Sequence, residues 1–134
     1  MSEKPKTFYE REVDRLYGKK LFRPEQYVQV RQSKAFMEKY YAERIELNDL
    51  AKAAFMSRFH YVRMFQRMYG LTPRNYLRDL RISKAKKLIN NGVSITQVCF
   101  DVGYESLPTF SAVFKKCTGY TPREYRRLHK SNLE

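Results

Sequence analysis

Residues 57–74 read SRFHYVRMFQRMYGLTPR, and residues 106–123 read SLPTFSAVFKKCTGYTPR. Laid over each other at an offset of 49, Ser57 meets Ser106, Tyr61 meets Phe110, Phe65 meets Phe114 and Gly70 meets Gly119. Thr72-Pro73-Arg74 then meets Thr121-Pro122-Arg123, and Tyr76 meets Tyr125. Upstream, Leu50-Ala51 meets Val98-Cys99 at an offset of 48, so one residue is inserted between the two matches. Length changes of this kind belong in turns. A fixed internal period means one supersecondary unit made twice. The unit is a short helix, a turn, a Ser-capped longer helix, a Gly stop and a Thr-Pro-Arg restart.

The longer helix must show one face to a core and the other to a partner. In the first copy Tyr61, Met64, Phe65 and Met68 recur at helical spacing and form the expected inward stripe. Phe59, Val62, Arg63 and Gln66 repeat that spacing outward, flanked by Arg58 and Arg67. In the second copy Phe110, Val113, Phe114 and Cys117 are expected inward, and Pro108, Ser111, Ala112 and Lys115 outward, flanked by Leu107 and Lys116. Neither helix contains an acid. Short helix, turn and three-turn helix is the helix-turn-helix arrangement.

Working outward, helical periodicity covers nearly the whole chain, and no alternating strand pattern of any length is present. The expected class is all-α: about seven helices, in two homeodomain-like helix-turn-helix subdomains joined by a long connecting helix. Residues 1–23 are a polar extension with a weakly amphipathic stretch at 8–17. One helical domain is expected over 24–130, and 131–134 is a tail. Pro24 opens a helix to about Tyr41, with Tyr27, Val30, Lys34 and Met37 along one face. The first unit spans about 47–70, the connecting helix 73–91, the second unit 94–119 and the last helix 122–130. Thr121-Pro122-Arg123-Glu124 is a capping box.

The chain has 27 Lys and Arg against 14 Asp and Glu, a net charge of +13. That excess points to a polyanion, nucleic acid before an acidic membrane surface. Apolar runs are too short to span a bilayer, and Met1-Ser2-Glu3-Lys4-Pro5 does not open a signal peptide. Cys99 and Cys117 are both expected as reduced core residues. No metal or cofactor is expected. His60 and His129 lie far apart in sequence, no Cys/His/acid cluster has metal spacing, and no Gly-rich phosphate loop occurs, so an enzyme is not expected. A nonspecific nucleoid or RNA-binding role would explain the charge but not the duplicated unit in fixed register. A protein-interaction module would explain the amphipathicity but not two acid-free faces.

Duplex DNA remains. Arg63 is the best base reader, because a guanidinium bonds guanine O6 and N7 together. Gln66 also makes directed bonds, while Phe59 and Val62 suit thymine methyls. In the second unit the base-facing set is Leu107, Pro108, Ser111 and Ala112. The phosphate set is Ser57, Arg58, His60, Arg67, Ser106, Thr109, Lys115 and Lys116. Ser57 and Ser106 start helices whose free N–H groups suit a phosphate, and they also serve as ordinary caps. His60, beside Tyr61, is read as a packing or phosphate contact. Arg81 shares a face of the connecting helix with Leu77, Ala85 and Leu88, so it is read as structural, ion-paired with a carboxylate such as Asp49 or Asp101.

With those residues in place, the chain resembles the AraC/XylS family of transcriptional regulators over roughly residues 27–130. The resemblance rests on residues 47–70 and 95–126. It includes Gly103-Tyr104, Phe110, Phe114-Lys115, Gly119 and the run from Thr121 to Arg126, with Tyr76-Leu77, Arg81 and Ala85 in the connecting helix. It implies seven helices, a rigid linker, and transcriptional control, usually activation through contact with RNA polymerase. Members often carry a separate effector domain of well over a hundred residues, for which the roughly 25 residues ahead of the domain here are too few. The chain is therefore similar to the stand-alone members that bind promoter DNA as monomers, and no small-molecule effector domain and a cytoplasmic, nucleoid-associated location are expected. Two departures stand out. Phe55-Met56 occupy the first turn where the family often has glycine, which leaves that turn open to rearrangement, because φ above zero is costly for phenylalanine. Ala112 stands where Arg63 stands in the first copy, which predicts weaker reading by the second unit.

Overall fold

The structure is a computed structural model that describes residues 7, 8, 11 and 23–133. The amphipathic stretch at 8–17 therefore lies outside the described residues apart from Phe8 and Arg11. Across 23–133 the chain is all-α: α1 (Pro24–Tyr40), α2 (Leu47–Ala53), α3 (Arg58–Tyr69), α4 (Pro73–Asn90), α5 (Ile95–Asp101), α6 (Leu107–Thr118) and α7 (Pro122–Leu133). The last helix continues to Leu133, through three of the four residues expected as tail.

Side-chain caps set the starts of α3 to α7, while α1 and α2 follow Arg23 and Glu46, whose side chains make no cap bond. Ser57 Oγ accepts from the His60 N–H, Thr72 Oγ1 from Asn75, Ser94 Oγ from Gln97 and Ser106 Oγ from Thr109. Thr121 caps α7, its hydroxyl accepting from the Glu124 N–H at 3.2 Å, the N-cap half of the expected capping box, and donating to the Glu124 carboxylate at 3.0 Å. Each such cap satisfies a donor that the helix leaves orphaned, at about 1 kcal/mol. Gly70 and Gly119 end α3 and α6 in the left-handed conformation, at φ 82° and 85°.

Two separate cores result. The first gathers Val30 and Met37 from α1, Leu50, Ala51, Ala54 and Met56 from α2 and its turn, and Tyr61, Met64 and Phe65 from α3. The second gathers Ile82, Ala85 and Ile89 from α4, Val98, Cys99 and Val102 from α5 and its turn, and Phe110 and Phe114 from α6. Val30, Ser33 and Met37 have the same spacing as Ile82, Ala85 and Ile89. The C-terminal half of α4 thus does for the second unit what α1 does for the first. Its N-terminal half closes the first unit with Tyr76 and Leu77, as Tyr125 of α7 closes the second. One helix is shared by both units, and α4 has no Gly or Pro after its first turn.

On α1, Ser33 replaces Tyr27 on the expected face: Ser33 is buried and Tyr27 is exposed. Cys99 is a buried free thiol as expected, but Cys117 is exposed, contrary to its inward assignment. The twelve-residue α6 turns its last positions past the core, so the stripe ends at Phe114.

The first turn is not rearranged. Phe55 adopts φ 55°, the position Gly103 takes in the second turn. The hydrogen bonds correspond one for one. Met56 N–H donates to Ala51 O at 2.9 Å and Phe55 N–H to Lys52 O at 2.9 Å. Tyr104 N–H donates to Cys99 O at 3.0 Å and Gly103 N–H to Phe100 O at 3.1 Å. This is the paired-bond helix stop that needs a left-handed residue. Phenylalanine fills that place at a cost of about 1 kcal/mol. The side chain stays 85% exposed, so it meets no steric obstacle. The inserted residue is Glu105, between the stop and the next cap.

Candidate nucleic-acid interface

The face of α3 that the first core leaves free carries Phe59, Val62, Arg63 and Gln66. Phe59 is 56% exposed, Gln66 is exposed, and Val62 and Arg63 are half-buried. Arg63 follows Phe59 by one helical turn, and its guanidinium carbon lies 6.0 Å from the Phe59 ring centroid. The ring holds the guanidinium beside it on the same face, a contact of about 0.5–1 kcal/mol at an exposed site. Arg58 and Arg67 flank that face and are exposed. The first turn of α3 holds no acid.

On α6 the expected set separates. Pro108, Ala112, Lys115, Lys116 and Thr109 are exposed, and Ser111 is half-buried. Leu107 is half-buried and packs against the second core. The outward surface of α6 therefore offers few groups that make directed hydrogen bonds, and its charge gathers at the C-terminal end, in Lys115 and Lys116. Ser57 and Ser106 hydroxyls cap their own helices, as quoted above, while their N-terminal ends remain at the surface. His60 is half-buried with its Nε2 shielded from solvent, so packing is the role its placement favours of the two expected.

Arg81 is structural, but its partners differ from those expected. Its Nε donates to Tyr41 O at 2.7 Å and its Nη2 to Glu43 O at 2.9 Å. Its guanidinium carbon lies 5.6 Å from the Tyr104 ring centroid. Asp101 instead accepts from Gln97 Nε2 at 2.7 Å. The reason is local: carbonyls just past the end of α1 have no intrahelical donor and sit at the negative end of its dipole, so they attract a cation without a carboxylate. Burial pushes the Arg81 pKa down from its ordinary value, with the Tyr104 hydroxyl opposing.

Sequence reasoning missed the polar pair inside the first core. Ser33 Oγ donates to Val30 O at 2.6 Å and lies 2.6 Å from the Tyr61 hydroxyl. Burial pushes the Tyr61 pKa up to about 12, against the lowering effect of Ser33. The signal was present in the repeat: Tyr61 meets Phe110, so the first core carries one hydroxyl that the second does not, and a buried hydroxyl needs a partner. A second missed feature ties α1 to α4. Glu38 accepts from Lys34 Nζ at 2.8 Å and from the Tyr76 hydroxyl. Those bonds lower the Glu38 pKa and raise that of Lys34.

Among the described residues, no helix is long and apolar enough to cross a membrane, and no group of His, Cys, Asp and Glu could hold a metal ion.

The sequence pattern of the family described as "Helix-turn-helix domain" matches residues 50–128. The chain is 37% identical over 81 residues to the HTH-type transcriptional regulator YbfI of Bacillus subtilis, a match covering 60% of this chain and 30% of that protein. It is 31% identical over 101 residues to the HTH-type transcriptional activator RhaS of Escherichia fergusonii, covering 75% and 36% of the two chains. The chain thus matches about a third of the length of these curated relatives. A transcriptional regulator with an AraC-type DNA-binding domain from Chromobacterium violaceum superposes with a TM-score of 0.67 at 27% identity, covering 80% of this chain and 96% of that one. The DNA-binding domain of AdpA, solved with a target DNA, shares the fold at a TM-score of 0.73 and 24% identity, covering 77% and 94%.

Proposed function

The chain belongs to the AraC-type helix-turn-helix family, and from that premise we propose that it is a sequence-specific regulator of transcription that inserts α3 and α6 into successive major-groove segments of an asymmetric promoter site. The observation that carries this reading is the duplicated helix. Two acid-free helices with basic flanks stand on two equivalent cores joined by one uninterrupted helix. At 1.5 Å per residue the 18 residues of α4 extend about 27 Å. Two recognition helices mounted on it suit groove segments about one turn apart, near 34 Å. A covalent tandem does not require a palindrome, so one protein is expected on a duplex of about 20 base pairs. Activation through RNA polymerase, and a cytoplasmic location on the nucleoid, complete the proposal.

Within the site, Arg63 and Gln66 carry the directed base contacts, with Phe59 and Val62 against thymine methyls. Leu107, Pro108, Ser111 and Ala112 contribute apolar contact and one hydroxyl. Ser57, Arg58, Arg67, Ser106, Thr109, Lys115 and Lys116 hold phosphates. Selection of bound fragments from random DNA, followed by gel-shift titration with specific and nonspecific competitor, tests the proposal. A single enriched asymmetric site, retained against excess nonspecific DNA, is the expected result. Equal affinity for all duplexes, or an obligate dimer on a palindrome in analytical ultracentrifugation, refutes it.

A further inference from the structure

The two units touch at a place other than α4. Met37 of α1 lies in the first core, and Tyr41, just beyond α1, packs against the second. The segment they lead into, residues 41–43, is gripped from two sides. On one side Arg81, midway along α4, bonds the carbonyls of Tyr41 and Glu43. On the other lies the turn of the second unit. A Cβ added at Gly103 would stand 3.0 Å from Ala42 O, and 3.1 Å from both Ala42 Cα and Arg81 Nε. Tyr104 then lies against the guanidinium face. Arg81, Gly103 and Tyr104 thus close on the backbone that directly follows the helix completing the first core.

We propose that this clasp is a specificity device: Arg81 and Gly103, by gripping residues 41–43, fix the distance and rotational phase between α3 and α6, so that the chain accepts one half-site spacing. The proposal rests on the DNA-binding reading above and deepens it. The physical need is clear from packing. Helices docked on a neighbour through apolar side chains vary in crossing angle by about 15–20°. A tilt of about 15° carried over about 27 Å moves the far unit by about 7 Å, or roughly two base-pair steps at 3.4 Å each. Apolar contacts are non-directional and leave more than one tilt open. Two directed hydrogen bonds to backbone, with a glycine too closely approached to carry a side chain, do not. Arg81 touches no DNA in this scheme and acts only through position.

Two readouts test it. In the first, the selected site is rebuilt with two base pairs inserted or deleted between the half-sites, which rotates the second by roughly 70°. The wild type is expected to lose about 100-fold in affinity on either change. Arg81→Met is expected to bind the original site less tightly while the spacing penalty shrinks to about tenfold or less, with the consensus of each half unchanged. In the second, DNA is absent. Spin labels on the exposed native Cys117 and on Gln66→Cys report the distance between α6 and α3, Cys99 being buried. A single narrow distance distribution is expected, and a broad one once Arg81 is replaced. Arg81→Lys, which keeps the charge and reaches one carbonyl at a time, serves both readouts if Arg81→Met does not fold. An unchanged distance distribution in a folded variant, or an unchanged spacing penalty, overturns the clasp. A wild type that tolerates every spacing also overturns it while leaving the DNA-binding reading intact. Failure to select any site would refute that reading, and the distance measurement would still decide the clasp.

Discussion

Replacing Ser33 by alanine removes one oxygen from the first core and leaves the Tyr61 hydroxyl without its acceptor. The proton count makes the direction definite. A serine hydroxyl has one hydrogen, and Ser33 gives it to Val30 O at 2.6 Å, so Tyr61 is the donor across the second 2.6 Å contact. Tyr61 is fully buried, so in Ser33→Ala its O–H has neither protein partner nor water. Orphaning a buried hydroxyl costs about 1–3 kcal/mol. Tyr61→Phe is milder, at about 0.5–1.5 kcal/mol, because Ser33 keeps its bond to Val30 O. The double variant recreates in the first core what the second core already contains, Ala85 beside Phe110. Its loss is expected at about 1 kcal/mol or less, below the sum of the single losses by about 1–2 kcal/mol. Urea unfolding followed by circular dichroism at the helical band measures all four corners of the cycle. Single losses that add, giving a double variant as weak as their sum, would refute the reasoning and show the pair to be two independent packing contacts.

Four further outcomes are expected. The Tyr61 pKa is raised to about 12, and an unfolded tyrosine titrates near 10, so the unfolded state loses its proton first. The resulting stability is complete below pH 10 and falls by about 1.4 kcal/mol per unit between pH 10 and 12; Tyr61→Phe removes that part of the alkaline loss in unfolding curves. Phe55→Gly should stabilise by about 0.5–1 kcal/mol by relieving φ 55°, whereas Gly103→Ala, at φ 102° and 3.0 Å from Ala42 O, should destabilise by about 2 kcal/mol or more; thermal melts that move the same way for both would contradict this. Arg63→Ala should weaken binding by about 1–3 kcal/mol and relax preference at one or two base pairs, with a sharp consensus under α3 and a degenerate one under α6. A base-by-base substitution scan that finds equal penalties in both halves would mean that apolar and indirect readout dominate. Lys116→Ala or Arg67→Ala should weaken all sequences alike and flatten the salt dependence, a slope of about −5 to −7 in log K against log salt, by about one; a sequence-selective loss would reassign either residue to the base readers.

The sequence by itself determined the repeat, and with it the fold. Ser57 and Ser106, Gly70 and Gly119, and the two Thr-Pro-Arg restarts act through their nearest neighbours, and a cap or a left-handed stop works whatever surrounds it. Helix starts and stops were legible for that reason, as were the inward aromatics Tyr61, Phe65, Phe110 and Phe114, which obey a period of 3.6 residues. The tertiary structure decided whatever depends on partners distant in sequence. Arg81 meets carbonyls 38 and 40 residues away, and no spacing rule distinguishes a backbone oxygen from a carboxylate as its partner. Ser33 meets Tyr61 across 28 residues, in a pairing that only the docking of α1 on α3 creates. Cys117 obeys the inward period of α6 yet is exposed, because how far a core extends along a helix depends on what stands opposite its last turn. Phe55 shows the reverse: a rule of local strain argued against its left-handed backbone, and the hydrogen bonds of the turn, closed between two packed helices, overrode about 1 kcal/mol of that strain.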